Sequence, residues 1–100
     1  MFLDDFFSIT LKKVMESMEV DFHGLRSRKE RRYVDARTVL VGILTRQGMS
    51  QTDVAERLGM TRQGVNRLAN GLTDRMRYNT LLKDEYERIR NEITRGEQQE

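Results

Sequence analysis

Apolar residues in this chain recur at the three- and four-residue spacings of helix faces. No stretch of five or more alternates apolar and polar positions with β-branched or aromatic character. Phe7, Leu11, Val14, Met15 and Met18 make one apolar stripe, and Asp4 or Asp5 is placed to cap the helix that carries it. Phe2 and Phe6 lie off that stripe and suit either a core edge or a dimer contact. Asp21 to Gly24 reads as a turn or a short helical piece. Residues 26–32 (Arg-Ser-Arg-Lys-Glu-Arg-Arg) hold no apolar side chain and read as a basic connector. A central helix is predicted from about Tyr33 to Gln47, with Val34, Ala36, Leu40, Val41, Ile43 and Leu44 on a broad apolar face and Gly48 as its stop. So wide a face belongs in the middle of a domain. A last helix is predicted from about Asn79 to Thr94 on Leu82, Tyr86, Ile89 and Ile93, followed by a frayed tail over 96–100.

The segment from Gly48 to Gly71 carries the most specific pattern. Ser50 followed by Asp53 is an acidic variant of the capping box and starts a helix to about Leu58. Ala55 falls where two helices must approach closely. Gly59 supplies the left-handed residue that a sharp interhelical turn needs. Thr61 caps a second helix, whose inward residues are Val65 and Leu68, opposite Val54 and Leu58, and which Gly71 is expected to end. The whole reads as a helix-turn-helix over residues 50–71. An ordinary helical hairpin could also hold a glycine at its turn. The outward face of the second helix argues otherwise, because Arg62, Gln63, Asn66, Arg67 and Asn70 are the side-chain types that make paired contacts to guanine and adenine edges. No acid occurs between Thr61 and Asn70. In the usual docking geometry Arg62, Gln63, Asn66 and Arg67 are the base-reading candidates in the major groove of double-stranded DNA. Ser50, Gln51, Thr52 and Thr61, at helix starts, are the phosphate candidates.

Net charge changes the picture only when it is divided along the chain. The formal total is +2, yet residues 1–25 hold two lysines against five acids, residues 26–77 twelve basic residues against five acids, and residues 78–100 four against six. The segments therefore carry −3, +7 and −2, with the positive charge concentrated around the helix-turn-helix as a nucleic-acid surface requires. Within it, Arg26, Arg28, Lys29, Arg31, Arg32 and Arg37 fall in twelve positions. Such a run either tracks phosphates or enters a narrow minor groove, or else it is a solvated loop pairing with the acidic termini. Those acidic termini are also a candidate surface for a protein partner. Cysteine is absent, which removes disulfides and thiolate zinc sites. The longest apolar run, Val39 to Leu44, is far short of a membrane span, and acidic Asp4 and Asp5 do not suit a secretory leader. The expectation is a soluble, cytoplasmic, nucleoid-associated protein: one all-α domain over residues 1–95, a bundle of about five to six helices.

In this order the elements resemble the C-terminal DNA-binding domain of the bacterial replication initiator DnaA. The Trp repressor shares its type of helix-turn-helix, and Met49-Ser50-Gln51 is similar there. The resemblance covers about residues 8–95. Ile9 to Met18 resembles the opening helix, Arg26 to Arg32 the basic loop, and Val34 to Leu44 the long helix. The resemblance implies that the basic loop inserts into the minor groove, with Lys29 and Arg31 nearest the inserting positions. The family enters its recognition helix with an arginine–aspartate–histidine–threonine–threonine run. Here the matching stretch is one residue shorter and reads Met60-Thr61-Arg62-Gln63-Gly64, without the aspartate and histidine. The resemblance thus implies the fold and the groove geometry, but not the family's DNA box. A phosphate-binding loop is also missing, which implies a stand-alone relative without the ATPase module.

Enzymatic chemistry is not expected, and neither are a cofactor or a metal. His23 is the only histidine and, beside Gly24, reads as a capping or surface residue. Asp84, Glu85 and Glu87 read as solvated acids on a helix face. Besides a transcription or replication regulator, two other binding functions stay open. One is a protein-interaction adaptor on the same scaffold; the other is a ligand-gated repressor of the Trp type. Whether the chain acts as a monomer or a homodimer is left open by the sequence.

Overall fold

The computed structural model describes residues 3–98, all of whose regular elements are helices: α1 (Leu3–Met18), α2 (Phe22–Ser27), α3 (Arg31–Arg46), α4 (Gln51–Leu58), α5 (Arg62–Tyr78) and α6 (Thr80–Gln98). The expected all-α bundle with its helix-turn-helix is the observed fold, α4 and α5 being the two helices of that motif. α3 is the hub, packing against each of the other five. From Thr38 to Leu44 every residue of α3 is buried. A helix that is apolar nearly all round is stable only when neighbours cover every side. No described helix is long and apolar enough to cross a membrane.

Three of the helices stop in the same way. Val20, Met49 and Met60 each donate a backbone hydrogen bond to a carbonyl five residues back, on Met15, Leu44 and Ala55. The residue before each donor, Glu19, Gly48 or Gly59, has positive φ. This is the Schellman ending, in which a left-handed residue turns the chain and the next side chain folds back onto the helix. Val20 and Met49 are buried and Met60 half-buried, so each stop also adds an apolar side chain to the core.

Several boundaries differ from those the sequence pattern predicts. The first helix already runs at Leu3, so Asp4 and Asp5 lie in its first turn rather than ahead of it. Phe6 is buried and closes the core edge; Phe2 lies outside the described residues. The short piece after Asp21 is a helix, whose cap is the Asp21 carboxylate accepting from the Gly24 amide at 2.6 Å. The basic stretch 26–32 is not one loop. Arg26 belongs to α2, Arg31 and Arg32 to the first turn of α3, and residues 28–30 alone lie between them. α6 continues to Gln98, past the expected end at Thr94 and into the stretch expected to fray; 99 and 100 lie outside the described residues.

The largest difference is in α5, which passes through Gly71 and ends only at Tyr78. Gly71 keeps ordinary helical backbone, and its neighbour Leu72 is fully buried against α3 at Gly42. Tertiary burial of Leu72 outweighs the weak helix propensity of one glycine. The two glycines at this crossing therefore have opposite roles. A Cβ on Gly42 would overlap Leu72 Cδ2 and press on the Tyr86 ring at 3.3 Å, whereas a Cβ on Gly71 would meet nothing. We expect Gly42→Ala to lower stability by about 1–3 kcal/mol through overpacking. Gly71→Ala should raise it by about 0.5–1 kcal/mol. Urea unfolding of the two variants checks both signs.

Candidate nucleic-acid interface

The motif's local geometry follows from its caps. Ser50 Oγ accepts from the Asp53 amide at 3.1 Å, and Thr61 Oγ1 from the Gly64 amide at 2.9 Å. Each hydroxyl keeps its own proton free to donate outward. Gly59 sits in the left-handed region at φ 66°. Val54, Ala55, Leu58 and Val65 are buried between the two helices, with Leu68 half-buried beside them. This wedge sets the angle at which α5 leaves the turn.

The outward surface of α5 then carries Arg62, Gln63, Asn66, Arg67 and Asn70, all exposed. Gln51, Thr61, Arg62, Gln63 and Asn66 together line a groove of about 490 Å³ where the starts of α4 and α5 converge. Thr52 is exposed on the same turn of α4. Gln51 Nε2 donates to Asn66 Oδ1 at 3.1 Å, and so does Asn70 Nδ2 at the same distance. Among the described residues no carboxylate pairs with Arg62 or Arg67. The first acid on this face is Asp74, which pairs with Arg77 at 3.5 Å. Two helix N-termini thus converge beside uncompensated cations, an arrangement suited to anionic phosphate.

The cations of residues 26–37 divide into structural and outward groups. Arg37, mostly enclosed by the chain, donates to the carbonyls of Leu25 at 2.6 Å and Arg28 at 2.8 Å, at the end of α2. Burial lowers its pKa from the ordinary value. Arg26 lies over the Phe22 ring, donates to the Leu58 carbonyl at 3.3 Å and covers Gly59, so it ties α2 to the helix-turn-helix. Arg37 is thereby held to structural work, while Arg26 ties two elements together and stays exposed. Arg28 and Arg32 flank the Tyr33 ring at 5.2 and 5.1 Å, and Arg28 also pairs with Glu30 at 3.0 Å. Lys29 and Arg31 are exposed. They line a second groove, of about 740 Å³, with Val34, Asp35, Arg75, Tyr78 and Leu82 among its other walls. Helical spacing puts Tyr78 in line with Arg67, Asn70 and Asp74, so this groove borders the far end of the α5 face.

Four sequence-predicted base readers and four phosphate candidates therefore meet at the helix-turn-helix. Lys29 and Arg31 line the groove at the far end of α5, with Arg28 and Arg32 beside them around the Tyr33 ring. Two things escaped the sequence pattern. Asn70 is bonded to Asn66 on the outward face of α5, and Arg37 is a fastener. A residue pattern shows that a side chain is basic but not which carbonyls await it.

Residues 43–82, from the end of α3 into the start of α6, match the helix-turn-helix family model. This part of the chain is similar to helix-turn-helix domains. No curated protein and no solved structure matches the chain significantly. Because Arg37 holds two carbonyls at the end of α2, Arg37→Ala should cost about 1–3 kcal/mol. Arg37→Lys should recover only part of that, lacking the fork that reaches both carbonyls. Thermal and urea unfolding of the two variants read the difference.

Proposed function

We propose that the chain is a sequence-specific double-stranded DNA-binding protein acting as a transcription or replication regulator, without enzymatic activity. Arg62, Gln63, Asn66 and Arg67 read base edges in the major groove. Ser50, Gln51, Thr52 and Thr61 hold phosphates beside them. Lys29 and Arg31, with Arg28 and Arg32, reach the backbone or minor groove flanking the site. The observation that carries this reading is the exposed Arg/Gln/Asn face of α5, free of acids for its first three turns and bordered by two capped helix starts. Arg31 and Arg32 in the first turn of α3 point the same way. Cations there oppose the helix dipole, and Glu30 makes no side-chain cap, so a bound phosphate would relieve a local cost. The helix order and the placement of Lys29 and Arg31 support a relative of the DnaA DNA-binding domain.

One observation favours a second reading, gating by a small molecule. The groove between Lys29, Arg31, Val34, Tyr78 and Leu82 adjoins the reading helix and combines apolar walls with cations. A thermal-shift screen of aromatic carboxylic acids would show a raised Tm under that reading, and a flat response would remove it.

The primary test is duplex binding from a randomised pool, followed by fluorescence anisotropy across a salt series. The natural protein should select a sequence and lose affinity steeply with salt. Arg62→Ala and Arg67→Ala should each cost about 1–3 kcal/mol and relax specificity. Lys29→Ala should weaken all sequences alike and reduce the salt slope by about one. Absence of duplex binding at low salt would overturn the proposal.

A further inference from the structure

The amide chain across the reading face constrains what Asn66 can recognise. An asparagine pairs with adenine by donating from Nδ2 to N7 and accepting the N6 amino group on Oδ1. In this protein both lone pairs of the Asn66 oxygen are engaged, one by Gln51 Nε2 and the other by Asn70 Nδ2. Its Nδ2 group, with two N–H donors, remains to face the groove it lines with Gln51, Thr61, Arg62 and Gln63. The geometry points to Asn66 as a donor-only reader that selects guanine, whose major-groove edge offers the acceptors N7 and O6, over adenine. Gln51 and Asn70 are positioning residues that fix this choice from opposite sides, one from α4 and one from the next turn of α5. This inference rests on the DNA-reading role proposed above and adds the base class at one position.

The bonded arrangement matters because a free carboxamide can turn over and serve adenine as well as guanine. Held at its oxygen by two donors, Asn66 would have to break both bonds to accept from an adenine amino group. The neighbouring uncompensated Arg62 favours the same acceptor-rich edge. Gln51 thereby does more than occupy a helix start: it links the placement of α4 to the base choice made by α5.

The test starts from the duplex selected by the natural protein. The position that Asn66 reads is the one where Asn66→Ala removes base preference. There the natural protein should prefer guanine over adenine by about tenfold, and 7-deazaguanine should erase most of that preference. In Gln51→Ala/Asn70→Ala the freed oxygen should bring guanine and adenine to within about threefold, while other positions of the site keep their preference. Circular dichroism and Tm establish that each variant is folded, which these exposed or half-exposed positions favour. An adenine preference in the natural protein would overturn the inference, as would a guanine preference untouched by the double variant. Uniform weakening of all sequences by Asn66→Ala would also overturn it, since that marks a phosphate contact. In each of these cases duplex binding survives, so the DNA-reading role stands while the base assignment falls. Absence of duplex binding by the natural protein would overturn both.

Discussion

The placement of α5 depends on one close crossing, where it meets α3 at Gly42. The missing side chain there lets Leu72 settle against the α3 backbone, with the Tyr86 ring of α6 beside it. Three helices are registered at this point. Arg46 reinforces it by donating to Thr73 of α5 at 2.9 Å while lying over the Tyr86 ring. Arg75 adds a bond to the buried Thr38 hydroxyl of α3 at 3.1 Å. The second half of α5, beyond Gly71, is therefore an anchor and its first half is left to face outward. A helix of 17 residues is about 25 Å long, enough to serve both purposes at once.

The basic residues follow the same division between holding and presenting. Arg26 and Arg37 lie close in sequence to Lys29 and Arg31, yet they fasten α2 to the turn of the helix-turn-helix and to α3. Guanidinium groups suit that work because a planar fork can satisfy two carbonyls left open at a helix end. Lys29 and Arg31, with no such carbonyl in reach, stay exposed. The positive charge of the middle segment is thus partly structural.

Most of the architecture was legible in the chain because its signals are local. A capping bond spans three residues, so Ser50 and Thr61 announce their helices without reference to anything distant. A left-handed turn is a property of one residue, so Gly48 and Gly59 mark stops unaided. The stripe Leu82, Tyr86, Ile89 and Ile93 is buried as its spacing implies. The outward set on α5 was equally plain, since polar positions opposite Val65 and Leu68 can face only solvent or a partner.

The sequence by itself therefore determined the helices, the turn between α4 and α5, and the side chains offered on the outward face of α5. Tertiary structure decided which of two similar glycines ends a helix. Gly71 continues α5 because Leu72, one residue on, finds burial against α3. It decided which arginines are fasteners, because that depends on carbonyls presented by another element. It also joined Gln51 to Asn66 across fifteen positions of chain and so oriented the amide at the centre of the face. These outcomes share one physical reason: each is set by a neighbour that only folding brings within hydrogen-bond or van der Waals distance, and no local pattern encodes it.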